Sequence, residues 1–425
     1  MQTTLPNRTT RRLLPDQFQP LRKRILHWAA GFPYAQVLDN CGTTIDRYGE
    51  YELLVGVGLE HAAVDTWEKA SSLLAQQWLM GAFPYDLKNI FEPGLKSNNK
   101  ALFDLPEVAL FQPATIVALK RGSHELEIIG PDLGLKKALR TPLPVSDLPE
   151  RPDFVSNFSK EGYIKTIEQL REHIAAGDCY EINLSQVFHS YTHIPDPAWL
   201  FDQLVTVSPV PFGAMLKWKN HWLLCASPER FLQKKQQVLR TQPIKGTAAR
   251  GRNLEEDQAN IEYLKHSKKE QAENVMIVDL SRNDLYRVSE TNSVHVPYLF
   301  EIQTFPTVHQ LVSTVEGKAR EDVSVTDIIE QIFPPGSMTG APKVSTMKLI
   351  EQYEPQARGL YAGSVGYCSP EGDFDLNVVI RTLQYNSETE RLEYQVGGAI
   401  TYDSDPESEY EETLIKAEAI RRVFA

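Results

Sequence analysis

The chain of 425 residues is 42% hydrophobic and sets 44 basic against 56 acidic side chains, for a net charge of −12. That length supports a sizeable core in one large or two intimate units, and the acidic balance argues against a general nucleic-acid or anionic-membrane surface. An anionic small molecule would therefore need a locally basic pocket. Cys41, Cys179, Cys225 and Cys368 lie far apart with no Cys-x-x-Cys or Cys/His cluster, which indicates neither zinc nor a disulfide framework and fits a cytoplasmic protein with reduced thiols. No run of 18 apolar residues occurs, so no membrane span is expected. Met1 to Pro15 carries Arg8, Arg11 and Arg12 without an apolar stretch and reads as a frayed tail.

In chain order, the β-prone runs Ala35–Leu38, Tyr51–Val55 and Thr115–Ala118 alternate with a helical pattern over Trp67–Ala75, which is α+β material. Prolines crowd the segment from Thr141 to Pro152, predicting a boundary between an N-terminal region, 1–150, and a second unit, 151–425. Ser159 then precedes a helix with apolar Tyr163, Ile167, Leu170 and Ile174, and Gly177 supplies its stop. In the alternating run that follows, Tyr180, Ile182 and Leu184 face one way. Glu181, Asn183 and Ser185 face the other, toward a site or toward solvent. A strand at Trp222–Ala226 leads into Ser227-Pro228-Glu229-Arg230-Phe231.

The stretch Pro243-Ile244-Lys245-Gly246-Thr247 places a lysine beside a permissive glycine. A turn lysine at the surface would look the same. As a nucleophile it must be partly neutral, which calls for burial or a second cation to lower its pKa. Glu270 and Glu273 share one helical face, and Glu409 and Glu412 share another behind a capping Asp405. These are either two solvated acidic faces or the oxygen ligands of a hard cation such as Mg2+. Gly336 to Lys343 lacks phosphate-loop spacing, and Pro342 removes a needed N–H, so ATP binding is rejected. The helix expected from Val344 to Gln352 could hold a carboxylate at its N-terminus. Val378, Ile380 and Thr382 suggest a strand aiming Arg381 at a planar carboxylate, and Gly397-Gly398 offers bare backbone after the strand Leu392–Val396.

Six blocks in order carry a resemblance: Gly177–Leu184, Ser227–Phe231, Pro243–Thr247, Ala272–Asp284, Gly340–Lys343 and Glu409–Thr413. Together they resemble the chorismate-utilising enzymes, the anthranilate synthase component I family. Lys245 stands where anthranilate synthases have alanine, so the likeness is closer to the aminodeoxychorismate-forming branch. The resemblance implies two packed, mainly antiparallel sheets with flanking helices. It also implies amination of chorismate to 4-amino-4-deoxychorismate for 4-aminobenzoate and folate synthesis.

By the same resemblance, Lys245 attacks C2 of chorismate while Glu229 protonates the departing C4 hydroxyl, and ammonia then adds at C4. Glu273 and Glu412 would hold Mg2+, with Glu270 and Glu409 reaching it through water. Arg381, Lys416, Tyr361 and the amides around Gly397 and Gly398 match carboxylate-binding positions. His309, Thr247 and Ser337 match ring-side and leaving-group positions, with Gly246 admitting the ligand to the backbone. Isochorismate and salicylate synthases carry a lysine in place of Glu181, so its role here is open. Cys41 replaces the serine of an effector motif in tryptophan-binding relatives. No Gly-x-Cys-x-Gly nucleophile turn is present, so a separate glutamine amidotransferase subunit is expected to supply ammonia. Anthranilate synthase component I and an inactive chorismate-binding scaffold are the alternatives.

Overall fold

The computed structural model describes residues 8–12, 18–97, 99–101, 103–143 and 149–424. Two antiparallel sheets dominate it. The first runs in the order Arg8–Arg12, Glu125–Ile129, Thr115–Lys120, Tyr51–Val57, Tyr34–Asp39, Phe212–Trp218, His221–Ser227, Thr382–Asn386, Arg391–Ile400, Glu181–Tyr191, Gly340–Ala341. The second runs Ile244–Ala249, Val308–Lys318, Val238–Gln242, Arg230–Lys235, Phe374–Asn377, Ser364–Cys368, Leu79–Phe83, Ala109–Phe111, Ala63–Val64. Strands from both sides of the proline-rich segment enter both sheets. The two lengths of chain flanking residue 150 are therefore interleaved.

The sheets pack through an apolar layer that includes Leu54, Met80, Phe111, Leu216, Leu223 and Val365. Helices Phe18–Ala30 and Pro197–Val207 cover the outer face of the first sheet, burying Ile25, Leu26, Phe201 and Leu204. Helices Lys268–Tyr286 and Val325–Ile332 cover the second, through Val278, Leu285, Ile328 and Ile329. This arrangement fits the expected α+β class.

Several expectations meet the structure directly. The helix behind Ser159 spans Lys160–Ala176, with the Ser159 hydroxyl accepting from the Gly162 N–H and Gly177 left-handed at φ 87°. Its apolar stripe packs on Ile182, Leu184, Leu349 and Ile350. The opposite face of the following strand is not solvated: Glu181, Asn183 and Ser185 are all buried between the sheets. The turn at Gly336 leads to a helix Lys343–Tyr353, one residue longer at each end than expected.

Two expectations are corrected. Arg8–Arg12 is a strand paired with Glu125–Ile129, so this part of the N-terminal stretch is held by a ladder; residues 1–7 and 13–15 of that stretch, like 144–148 of the proline-rich segment, lie outside the described residues. The strand expected around Arg381 begins only at Thr382, because Arg381 itself is left-handed at φ 51°. Its side chain is aimed by this kink, not by strand alternation.

A buried latch ties the loop before Tyr51 to the second sheet. The fully buried Arg230 guanidinium donates to both carboxylate oxygens of Asp46 at 2.9 and 2.8 Å, to both of Asp375 at 2.8 and 2.9 Å, and also to Gln242. Two forked pairs satisfy a charge that would otherwise be costly to desolvate. Arg230→Leu leaves two carboxylates facing each other without a cation. It should lower the free energy of unfolding by about 3–5 kcal/mol, measured by urea denaturation.

Candidate active site

Lys245 lies on the strand Ile244–Ala249 at the edge of the second sheet, and Glu181 opens the strand Glu181–Tyr191 near the edge of the first. Their side chains meet at 2.5 Å, with the lysine 11% exposed and the glutamate 1%. Local backbone brings the lysine there. Gly246 is left-handed at φ 91°, and a Cβ on it would stand 2.9 Å from the Glu270 carboxylate. Only glycine meets both demands.

A further anchor comes from Asn274, which sequence reasoning left without a role. Its amide donates to the Lys245 carbonyl at 3.4 Å and the Leu311 carbonyl at 3.2 Å, and its oxygen accepts from the Ser313 hydroxyl at 2.5 Å. The lysine strand is thereby fastened to the helix carrying Glu270 and Glu273. The only hint in the sequence was a polar residue next to Glu273 on the side of that helix facing the sheet.

The Lys245 amine is not lowered in pKa as expected. Burial opposes its charge, but Glu181, Glu273 and Glu229 outweigh burial, and the net direction is up. The largest charge effects on it come from carboxylates. In this structure Lys245 rests as an ammonium paired with Glu181.

Glu229 follows the strand His221–Ser227 and is buried. Burial pushes its carboxyl up to about 7, against the Ser337 hydroxyl, Lys245, the Ile244 backbone and Arg381, all of which favour the charged form. A carboxyl poised near neutrality can hold a proton and release it. Burial likewise lowers the Arg381 guanidinium to about 10, with Glu229 opposing. Arg381 makes no ion pair among the described residues, which leaves its fork available to an anion.

The four other glutamates share one electrostatic field. Burial raises Glu270, with Glu412 adding to the shift; burial raises Glu273 to about 7, with Glu181 and Glu270 adding. Glu409 is raised by burial and by Glu412, although the Ser404 hydroxyl donates to it at 2.8 Å. Glu412 is lowered, first by Lys416, which pairs with it at 2.7 Å. Lys269, unnoticed in the sequence, lies 3.9 Å from Glu273 and is raised against burial by Glu273, Glu409, Glu270 and Glu412 together. Two separate helices therefore do present their carboxylates to one region. Among the described residues, however, no group of three His, Cys, Asp or Glu side chains is gathered as a metal site. Lys269 and Lys416 provide the counter-charge instead.

The remaining candidates divide. Gly397 pairs with Ser185, and a Cβ on it would strike the Leu184 carbonyl at 2.5 Å; one on Gly398 would reach the Glu409 carboxylate at 3.2 Å. Lys416 donates to the Gly397 carbonyl at 3.0 Å, so it is already engaged on both sides. Ser337 sits in the turn Gly336–Met338, where it reaches Glu229. Tyr361 is buried, its phenol pushed up by that burial, near the Arg358 guanidinium. Arg358 donates to Glu354 at 2.9 and 2.7 Å, to the Met338 carbonyl at 2.6 Å and to the Asn183 carbonyl at 2.9 Å. This second buried network, also not anticipated, clamps the Gly336 turn to the strand that carries Glu181.

Thr247 is exposed, its hydroxyl 3.4 Å from the Gln310 amide. His309 stands opposite Ala248 on the neighbouring strand. It is fully buried, with one ring nitrogen at 2.9 Å from Asp257 and the other at 2.9 Å from Thr304. With both nitrogens engaged it braces its strand. In the turn that holds Cys41, Asp39 pairs with Arg22, and Cys41 is left-handed at φ 53° with its N–H 2.7 Å from Asp39.

A buried lysine and a carboxyl raised to about 7 at the seam of two antiparallel sheets define the class of site. The same fold occurs in anthranilate synthase component I from Streptococcus pneumoniae TIGR4, with a TM-score of 0.75 and 25% identity over 99% of this chain and 94% of that one. It also occurs in the menaquinone-specific isochorismate synthase from Escherichia coli, with a TM-score of 0.78 and 19% identity over 100% and 97% of the two chains.

The model for chorismate binding enzymes matches residues 35–422, and the chain belongs to that family. Aminodeoxychorismate synthase component 1 of Escherichia coli (strain K12) is 38% identical over 347 residues, covering 80% of this chain and 75% of that protein. The probable chloroplastic aminodeoxychorismate synthase of Oryza sativa subsp. japonica is 44% identical over 282 residues, but these cover only 31% of its length. The chain thus spans three quarters of one curated relative and under a third of the other in these matches.

The raised carboxyls predict a pH dependence. Glu229 and Glu273 move from 4.5 to about 7 on folding, so the native state holds more protons than the unfolded state between these values. Their contribution is fully present below about pH 4.5 and is lost as pH rises through about 7. Urea unfolding without added metal should give stability falling from pH 5 to pH 7.5, and Glu229→Gln should flatten part of that slope.

Proposed function

We propose that this protein is an aminodeoxychorismate synthase component I, converting chorismate and ammonia to 4-amino-4-deoxychorismate for 4-aminobenzoate and folate synthesis. The observation carrying this reading is the meeting of Lys245 and Glu229 in one buried site, with Glu229 held near pH 7. The first group is a nucleophile in waiting and the second an acid. The names of the relatives favour this branch over anthranilate synthase component I, as does a lysine where that branch has alanine.

For attack, the Lys245 ammonium must lose a proton, and Glu181, at 2.5 Å, is the adjacent acceptor. The free amine would bond to C2 as the C4–O bond breaks, with Glu229 giving its proton so that water leaves. Ser337 and Arg381 stand next to Glu229 and fix its orientation and field. Arg381, lacking an ion pair, is the fork available for a substrate carboxylate. The bare backbone at Gly397 and Gly398 leaves room for close approach.

The oxygen-only donor set, with carboxyls raised by burial and then by one another, fits a hard cation in its chemistry. Glu273 and Glu412, backed by Glu270 and Glu409, would hold Mg2+, displacing the counter-charge of Lys269. When bound, the ion would neutralise a substrate carboxylate among these glutamates. A separate glutaminase subunit in the cytoplasm would supply the ammonia. Among the described residues, no helix is long and apolar enough to cross a membrane.

Purified protein quenched with chorismate and Mg2+ without ammonia should carry a substrate-sized adduct on the Lys245 peptide by mass spectrometry. Lys245→Ala should lose it. Anthranilate as the main product, or an adduct surviving in the alanine variant, would overturn the reading. Isothermal titration should show Mg2+ binding that falls at least about tenfold in Glu273→Ala, since near-octahedral coordination leaves few spare ligands.

A further inference from the structure

Lys245 sits where the pairing of its strand breaks. Ile244 stands opposite Val312 and Thr247 opposite Gln310, so Lys245 and Gly246 together face the single residue Leu311. This is a β-bulge, which inserts an extra residue into one strand of an antiparallel pair. A second bulge lies across the same central strand, Val308–Lys318. There Tyr298 stands opposite Thr314 and Glu301 opposite Val312, which leaves Leu299 and Phe300 facing the single residue Ser313. Gly246 and Phe300 are both left-handed, at φ 91° and 59°. For phenylalanine that conformation is uncommon and has to be held by its surroundings.

The first bulge decides where the lysine points. Without it, the pairing of Ile244 with Val312 would continue to Lys245 opposite Leu311, and residues opposite each other in a ladder share a face. Gly246 has that place instead. A Cβ on it would lie 3.2 Å from the Leu311 Cβ and 2.9 Å from the carboxylate of Glu270, on the side of helix Lys268–Tyr286. Lys245 is thereby released to meet Glu181. Because a slip of one residue sends a side chain to the opposite face, the chemistry assigned to the lysine depends on this bulge.

Two buried side chains span both bulges. Ser313 accepts from the Phe300 N–H at 3.1 Å and turns its own proton to Asn274 Oδ1 at 2.5 Å. With that oxygen engaged, the Asn274 amide directs its N–H groups at the Leu311 carbonyl, 3.2 Å away, and the Lys245 carbonyl, 3.4 Å away. Donation therefore runs in one direction, from the exposed edge strand inward to the lysine. A bulge disrupts the ladder locally, and this pair meets the Phe300 N–H on one bulge and the Lys245 carbonyl on the other.

We propose that Ser313 and Asn274 are positioning residues for Lys245, holding the two bulges in step and so keeping the amine against Glu181. This rests on the function proposed above. Both residues act through the backbone of the lysine strand, and Ser313 acts through Asn274.

The test is a single turnover of the full chain with Mg2+ and chorismate, without ammonia, following the Lys245 adduct by quenching and mass spectrometry. Its first-order rate constant does not depend on how much of the sample is folded, so a merely structural loss lowers the amplitude alone. Asn274→Asp still accepts from Ser313 but turns an oxygen toward the Lys245 carbonyl. It should lower the rate constant about a hundredfold, the scale of a misplacement of about 1 Å. Ser313→Ala should lower it about tenfold, the effect of one buried hydrogen bond. In both variants the chorismate concentration giving half the maximal rate should stay within about twofold of the parent. Ser313→Thr keeps the hydroxyl and should keep the parent rate constant. Parent rate constants with reduced amplitude in the alanine and aspartate variants, or a threonine variant as slow as the alanine one, would overturn the positioning role. If Ser313→Thr does not fold, as judged by circular dichroism, the other two variants decide. If the parent itself forms no adduct, the assigned reaction falls, and hydrogen exchange of the Ile244–Ala249 peptide then judges the positioning separately. Exchange about tenfold faster in Ser313→Ala would support it, and equal exchange would overturn it.

Discussion

The contact between Lys245 and Glu181 joins the two sheets at the point where the chemistry is placed. Each partner comes from an edge region of its own sheet, and neither charge can be buried there without the other. Around this pair the fold changes character. Farther along the first sheet, the space between the sheets is filled by Leu54, Leu216, Leu223 and Val365. At the Glu181 end it is filled by Asn183, Ser185, Glu354 and Arg358, which hydrogen-bond one another or the adjacent backbone. The apolar part holds the sheets together, and the polar part can then be spent on binding and proton transfer.

Charge in this region is arranged by difference. Glu229 is pushed up to about 7 because burial outweighs Lys245 and Arg381, whereas Glu181, against Lys245, is the partner of an ammonium. Two carboxyls with different neighbours can then serve as acid and base in one site. The glutamates on the two helices form a third group, in which burial raises Glu270, Glu273 and Glu409 while Lys416 lowers Glu412. Activation of the lysine therefore does not follow from burial alone. It depends on a carboxylate close enough to take its proton.

Local sequence signals were strong wherever one element explains itself. The Ser159 cap, the Gly177 stop, the paired glutamates on two helices and the glycine beside Lys245 all follow from helix periodicity, capping chemistry or φ requirements. The six ordered blocks were enough to place the family, and the family match over residues 35–422 spans all of them. Where two regular elements meet, the sequence offered less. Asn274 and Arg358 look like ordinary polar residues until the sheet edges they hold are in view.

By itself, then, the sequence determined the α+β class, the start and stop of the Lys160–Ala176 helix and the identity of the chemical groups, since these depend on neighbours within a few residues. Tertiary structure decided which face of the Glu181 strand is buried, that His309 has both nitrogens occupied, and that Arg381 is turned by a left-handed kink. It also decided the direction of the Lys245 pKa. Burial and neighbouring charge act on that amine with opposite signs, and only the placement of Glu181, Glu229 and Glu273, distant in sequence, sets which one prevails.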